Sequence, residues 1–423
     1  MAYRKCFFFS LIQISNKYQP KKNVKTKNKN YMKLAKKILK YRERKNTFLK
    51  NEIELILAFY QKNFPRNYNF EIKKTINKLE KNRFKTIFLQ LPEGLFCFSI
   101  FLIDLFVKNL FFSKIFYFSN RTIFGACCVD DNFVKFVGLD VILHYGHSCL
   151  IPVFKCIVSI SYIFLEIFFD NSVMIESFIE KFYKKNNYWG LTSTIQFTSS
   201  LRKINLDLSR ILGKIIIPQN KPLSPGELLG CTGFFLKNCK NIIYIGDGKF
   251  HLESAIMTNP ISRFFQYNPF SHSLFIVEFS FLDFLRKREF FLNNSFFKKK
   301  NSGIIISSLG RQGNTKILRR FKELLKLKKI SAFIISMSEI SFDRLDLIGK
   351  NKINAWNQIA CPRLSSDWSD SYKHPLLSTH EFGVVLNVTD WEKFFFKMDF
   401  YSQKGGFWAN YYDSKSNFYI KNI

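Results

Sequence analysis

One pattern constrains this chain more than any other. A short, wholly apolar run empties into a glycine- or proline-containing loop and is followed by a helix-like stretch, and this happens three times. The runs are KTIFLQLPEG from Lys85, YWGLTSTIQF from Tyr188 and SGIIISSLGRQG from Ser302. Each is followed by a second run (KIFYFSN, GKIIIPQ, ISAFIISMSEI) and a third (LDVILHYGH, NIIYIGDGK, NAWNQIACP). Apolar runs without polar alternation must be buried on both faces, as in parallel strands covered by helices. The expectation is an α/β fold of three similar βαβ-type domains with parallel sheets, at residues 83–187, 188–300 and 301–423. Residues 1–82 contain no glycine, and apolar residues recur at three and four positions from Tyr31 to Tyr60 among Lys, Arg and Glu. That reads as a basic, partly helical extension.

The cysteines follow the same plan. Cys127, Cys231 and Cys361 are 104 and 130 residues apart, about one domain each time. Each sits in a loop at the carboxyl end of a strand, where open α/β sheets place ligands. FGACCVDD sets Cys127 among small residues at a loop entering a helix, PLSPGELLGCTG sets Cys231 beside Gly230, and QIACPRLSSDW sets Cys361 before Pro362. Singly, a cysteine is most often a small buried hydrophobe, and Cys6, Cys97, Cys156 and Cys239 are read that way. Three at matching positions fit an iron-sulfur cluster with one iron left open to substrate. Zinc stays the other metal open to such a set, although its paired short spacings are absent. His144 and His147 in HYGHSC can form a metal pair or, with Cys149, hydrogen-bond near the cluster; the second reading is preferred.

Composition excludes less. Hydrophobic residues make up 47% and aromatics 17%, enough apolar surface for a folded core. Lys and Arg outnumber Asp and Glu by 65 to 32, for a net charge of +33. Such a charge attracts nucleic acid, acidic proteins or anionic membranes, but the lysines follow no single stripe and read as a drift in residue usage. Nine cysteines without tight clustering argue against a secreted disulfide scaffold. MAYRKCFFFSLIQI has a basic head and an apolar run but no small-residue cleavage site, so no cleaved targeting peptide is expected. Charges interrupt Leu95–Phe112 and Leu150–Phe169, which read as a buried helix and a buried strand with its flanks rather than membrane spans.

LQLPEG, FGACCVDD, HYGHSCLIP, STIQF, PLSPGELLGCT, YIGDGKFHLES, LGRQG, ACPRLSSDW and MDFY, in this order from about Thr86 to Tyr401, resemble the first subunit of the diphthamide biosynthesis family. The resemblance implies three similar domains around a central 4Fe-4S cluster held by Cys127, Cys231 and Cys361. It implies a reaction in which the reduced cluster gives one electron to S-adenosylmethionine and breaks the bond between sulfur and the methionine γ-carbon. The 3-amino-3-carboxypropyl radical attacks carbon 2 of a histidine on translation elongation factor 2, and methylthioadenosine leaves. It also implies a related second subunit, a small metal-binding electron donor with a reductase, and a cytoplasmic location; no nucleic acid or membrane is required.

Substrate contacts follow from loop chemistry. The LGRQG turn, Gly310, Arg311, Gln312 and Gly313, can offer backbone amides and a guanidinium to the carboxylate of the aminocarboxypropyl group. Gln196, Glu93, Asp247 and His251 occupy comparable loops and can hold the ammonium group or ribose hydroxyls. No side chain beyond the cluster is assigned to catalysis. Alternatives are a quinolinate synthase, which the motif blocks disfavour, a noncatalytic scaffold subunit of the same complex, and a basic RNA-binding protein. Retention of all three cysteines favours the catalytic subunit.

Overall fold

A computed structural model describes residues 64–110, 115–118, 125–182, 188–295, 301–349, 353 and 355–412. The helical reading of Tyr31–Tyr60, and Cys6 with it, lie outside the described residues. The chain divides into two compact units. The first comprises residues 1–123, 131–146 and 156–165, and the second 124–130, 147–155 and 166–423.

In the first unit, α1 (Ile72–Asn82) leads to β1 (Thr86–Gln90), and α2 (Ser99–Asn109) leads to β2 (Ile115–Phe118). Then come α3 (Asp131–Val137), β3 (Val141–Tyr145) and β4 (Ser159–Ile163). All pairings are parallel in the order β2-β1-β3-β4, with Ile87 opposite both Phe116 and Val141. Every residue of β3 is buried, as the unbroken run VILHY requires. Ile87, Leu89, Leu102, Phe106 and Leu143 form the core between sheet and helices. The Asp140 carboxylate accepts from the N–H groups of Lys85 and Thr86, and the Thr86 hydroxyl accepts from Asp140 N–H, tying the entrances of β1 and β3 together. The Phe-rich stretch from Leu95 holds a tight 3-10 turn (Glu93–Phe98) ahead of α2. Ile100 and Phe101 on that helix are exposed.

The second unit opens with α4 (Asn171–Phe182), β5 (Trp189–Ser193), α5 (Thr198–Leu212), β6 (Ile215–Ile216) and β7 (Asn241–Ile245). There follow α6 (Phe250–Thr258), β8 (Arg263–Asn268), β9 (Ser273–Val277) and α7 (Phe281–Ser295). The sheet order is β9-β8-β7-β5-β6, parallel except for the β8–β9 hairpin. A second sheet follows from β10 (Asn301–Ser307), α8 (Thr315–Leu327), β11 (Ser331–Met337), α9 (Phe342–Gly349) and β12 (Trp356–Ile359). It is completed by α10 (Pro362–Trp368), β13 (Leu376–Leu377) and α11 (Thr379–Val385), and its order β11-β10-β12-β13 is wholly parallel.

The three larger sheets therefore repeat one order, second strand, first, third, fourth. Helix α8 illustrates why the sequence folds this way. Ile317, Phe321 and Leu325 recur every four residues and are the buried ones, each stabilising by about 1.5–3 kcal/mol. Asn314 caps its start by accepting from Lys316 N–H. Among the described residues no helix is long and apolar enough to cross a membrane.

Candidate metal centre

Cys127, Cys231 and Cys361 all belong to the second unit and all are buried, free thiols. Each is presented by a loop with its own backbone fastening. In segment 125–130 the N–H of Cys128 bonds Gly125 O at 2.9 Å, and Cys127 O accepts from Arg311 N–H at 2.8 Å. In the loop between β6 and β7, the Thr232 hydroxyl donates to Cys231 Sγ at 3.8 Å, and Gly230 N–H donates to His251 Nδ1 at 2.9 Å. Cys361 ends β12 and stands at the N-cap of α10, with Pro362 in the first turn, where a missing N–H costs nothing. The backbone N–H of Leu364 bonds Cys361 O at 3.0 Å.

The three sulfurs sense one another. Cys231 and Cys361 act on each other electrostatically, and both act on Cys127. The Cys231 thiol and then the α10 backbone hold Cys361 below the ordinary thiol range, whereas Cys231 is pushed above it by Cys361 and by burial. Cys127 is pushed well up by its contact with the Cys128 thiol, at 4.0 Å, and by burial and the other two sulfurs. Tyr401 is fully buried, and burial followed by all three cysteines raises its hydroxyl; it donates to Arg311 O at 3.4 Å. Three thiolates in one dry place repel unless a positive centre offsets them, which is the electrostatic condition of a metal-ligand set. No three His, Cys, Asp or Glu side chains among the described residues are grouped as the ligands of a single ion would be. The donor set fits a cluster better, because there each thiolate takes a different iron and the ligands do not converge on one atom.

The turn Leu309–Gly313 organises two of these loops. Gln312 is buried; its Nε2 lies 3.9 Å from Cys128 Sγ and its Oε1 accepts from Cys361 N–H at 3.3 Å. Gly310 has φ of +52°, and a Cβ there would stand 2.5 Å from Cys128 Cα and 2.7 Å from Cys127 O, so only glycine fits. Gly313 approaches Ser307 O as closely. The N–H of Gln312 bonds Leu309 O, and the Arg311 guanidinium donates to Lys155 O. The turn thus spends the amides of Arg311 and Gln312 on protein contacts.

The other expected residues scatter. His251 neighbours the Cys231 loop, and burial, His147 and Arg363 push its imidazole down to about 4 although part of its surface is open. As it accepts through Nδ1, it is neutral with its proton on Nε2. Asp247 is exposed after β7, and Gln196 is half-buried in the turn entering α5. Glu93 lies exposed in the first unit. His144 is buried in the first unit, its Nδ1 2.7 Å from Gln90 Oε1, and His147 belongs to the second. Of the cysteines read as buried hydrophobes, Cys239 is buried, Cys156 is half-buried and Cys97 is exposed; a cysteine in a tight 3-10 turn need not face the core.

Three residues escaped sequence reading. Tyr401 is one. Glu227, in the Cys231 loop, is buried and bonded to the hydroxyl of Ser148 and to Ser224 N–H at 2.9 Å; burial pushes its carboxyl up to about 7. Arg363 follows Cys361 by two positions and is buried. Only its place directly after Cys-Pro hinted at a role.

Comparison with known proteins identifies the family. Residues 91–395 match the family described as "Putative diphthamide synthesis protein". The chain is 40% identical to 2-(3-amino-3-carboxypropyl)histidine synthase subunit 1 of Dictyostelium discoideum, over 85% of this chain and 76% of that one. It is 36% identical to the Homo sapiens protein of the same name, over 80% and 76%. Its fold matches Dph2 from Pyrococcus horikoshii in a crystal structure with a 4Fe-4S cluster, at a TM-score of 0.63 and 22% identity over 77% of this chain and 93% of that one. Similarity of this extent in both sequence and fold places the chain in the diphthamide synthesis family, on the branch of the histidine synthase's first subunit.

Proposed function

We propose that Cys127, Cys231 and Cys361 are the protein ligands of a 4Fe-4S cluster in an enzyme that carries out the first step of diphthamide biosynthesis. The reaction transfers the 3-amino-3-carboxypropyl group of S-adenosylmethionine to a histidine of translation elongation factor 2 and releases methylthioadenosine. The observation that carries this reading is the mutual proximity of three buried thiols from three strand-end loops, with Tyr401 sensing all of them.

When bound, such a cluster supplies one electron to the sulfonium of the substrate. The chain's own residues do the rest. The α10 backbone amides hold negative charge at Cys361, Gln312 ties the Cys361 backbone to the Cys127–Cys128 segment, and Tyr401 and the apolar loops keep water away. Gly310, Arg311, Gln312, Gly313, Gln196, Glu93, Asp247 and His251 stay the proposed surroundings of S-adenosylmethionine, with the Gly310–Gly313 turn and His251 in the forefront because they abut ligand loops. The three repeats at 83–187, 188–300 and 301–423 each bring one ligand. A related second subunit, a small metal-binding electron donor and a reductase complete the system in the cytoplasm, where elongation factor 2 works.

The test is Cys231→Ala in the anaerobically purified complex with the second subunit. Iron and sulfide should fall, and aminocarboxypropyl transfer to elongation factor 2 should be lost. Full activity in that variant would reduce this chain to a scaffold.

A further inference from the structure

Two buried side chains at the carboxyl end of the β5–β9 sheet each hold a polar atom with nothing to bond. Thr194 follows β5 and is 7% exposed, and Gln266 lies on β8 and is 2% exposed. Neither Thr194 Oγ1 nor Gln266 Oε1 has a hydrogen-bond partner among the described residues. Thr194 stands at the N-cap of the 3-10 turn Ile195–Phe197, where a threonine hydroxyl ordinarily accepts from the backbone, yet it makes no cap bond. Gln266 is an amide in a strand whose neighbours Phe264, Phe265 and Tyr267 are buried. Its Nε2 donates to Gly246 O at 3.0 Å and to Gly248 O at 3.1 Å. Carbonyls only accept, so these two contacts fix which end of the amide is nitrogen and leave its oxygen unmet. An unmet polar atom in the interior is costly, and here two are kept.

Their position narrows what they are for. Both flank Gly246, the residue after β7, and β7 is the strand between β5 and β8. A Cβ on Gly246 would stand 2.8 Å from the Tyr244 hydroxyl and 3.2 Å from Thr194 Cγ2, so only glycine fits there. Ser193, next to Thr194, is stitched to the loop that carries Cys231: its N–H donates to Gly226 O at 2.8 Å and its O accepts from Leu228 N–H at 2.9 Å. Beyond Gly248 the chain enters α6, whose His251 accepts from the N–H of Gly230, the residue before Cys231. The unmet atoms therefore belong to strands tied to a ligand loop, at the sheet end where open α/β folds place ligands.

The pair is uncharged. An amide oxygen only accepts, whereas a hydroxyl can donate. One acceptor and one donor complement a neutral imidazole, which carries one N–H and one bare nitrogen. Those nitrogens flank carbon 2, the atom the proposed reaction attacks. Bonds to both, made in the ring plane, would fix carbon 2 and leave the faces of the ring open. The ammonium, carboxylate and sulfonium of S-adenosylmethionine call for charged partners instead. We propose that Thr194 and Gln266 bind the imidazole of the acceptor histidine, a role that rests on the transfer reaction proposed above.

The experiment is steady-state transfer to elongation factor 2 by the anaerobic complex with the second subunit, with S-adenosylmethionine affinity measured by equilibrium dialysis. Thr194→Val keeps the shape and removes the hydroxyl. It should lower kcat/KM for elongation factor 2 about 3- to 10-fold, the loss of one neutral hydrogen bond, and raise the methylthioadenosine released per histidine modified. S-adenosylmethionine affinity, iron and sulfide should stay at the wild-type level, and Tm should not fall, because the lost hydroxyl had no partner. Thr194→Ser should restore kcat/KM. Gln266→Met should lower it at least as far as Thr194→Val, and the Thr194 pair decides if that variant does not fold. An unchanged kcat/KM in Thr194→Val, a Ser variant as poor as the Val one, or a lower Tm would overturn the assignment. A matching fall in S-adenosylmethionine affinity would also overturn it and give the two atoms to the edge of adenine. A wild-type complex that modifies no elongation factor 2 would remove the reaction itself, and the proposal with it.

Discussion

Two arginines are buried in the second unit, and they are buried in opposite ways. Arg288, on α7 and 1% exposed, is saturated: Nε and Nη2 each meet Glu381 at 2.6 Å, Nη1 donates to Ser369 Oγ at 2.7 Å, and Nη2 also reaches Leu376 O at 2.8 Å. Glu381 in turn closes a capping box with Ser378 at the start of α11. Arg288 thereby joins α7 to the β13 and α11 region, with every nitrogen of its guanidinium engaged. Arg363 has a similar depth of burial, partners that are partly in water, and one nitrogen unmet. Burial alone does not separate the two; the tally of donors does.

The largest expected difference comes from deleting each guanidinium. Arg288→Met leaves Glu381, at 0% exposure, without its counter-charge, and should cost about 3–5 kcal/mol in guanidinium chloride unfolding of the complex. Arg363→Met leaves Glu253 and Asp367, 24% and 38% exposed, which water can solvate, and should cost about 1 kcal/mol or less. Equal losses would show that Arg363 is as structural as Arg288.

A third buried charge sharpens the contrast, because Glu227 has no arginine at all. Its folded carboxyl is pushed up to about 7 from an ordinary 4.5. Between those values the folded state binds the proton more tightly than the unfolded chain, so this group's contribution is fully present below about pH 4.5 and is lost as pH rises to about 7. The loss should be about 3 kcal/mol. His251, held down to about 4, and His380, held down to about 3 by burial and Lys397, titrate in the opposite sense. The difference curve between Glu227→Gln and wild type cancels them. It should rise in favour of the Gln variant from pH 4.5 to 7 and then level off; a flat curve would place the Glu227 carboxyl in the ordinary range.

How much of this could be read from sequence depends on distance along the chain. The first three strands of each sheet were legible because unbroken apolar runs next to glycine or proline are local signals. The fourth strands were legible only in part: Leu376–Leu377 is two residues long and left no signal, whereas Ser159–Ile163 lies inside Leu150–Phe169, which reads as a buried strand with its flanks even though Phe154 and Phe168 are exposed. Such strands form because an edge is already there to pair with. The cysteines were legible through their spacing and neighbours. Arg311 looked like the anchor because glycine turns advertise free amides, but Cys127 O and Leu309 O consume them, and the first of those contacts joins residues far apart in the chain. Arg363 was quoted in ACPRLSSDW and passed over, since nothing local tells an arginine on a short helix that one of its nitrogens will lack a partner.

The smallest expected effect calibrates the comparison itself. Ser369 accepts from Arg288 Nη1 and donates its own hydroxyl to Ser366 O at 2.7 Å. Ser369→Ala removes the acceptor and gives Arg288 the unmet Nη1 that Arg363 carries by nature, with every Glu381 contact kept. The loss of stability should be about 1 kcal/mol, measured by the same unfolding curves. Should Ser369→Ala cost nothing, an unmet guanidinium nitrogen is tolerated in this interior, and the tally of donors would no longer separate the two arginines.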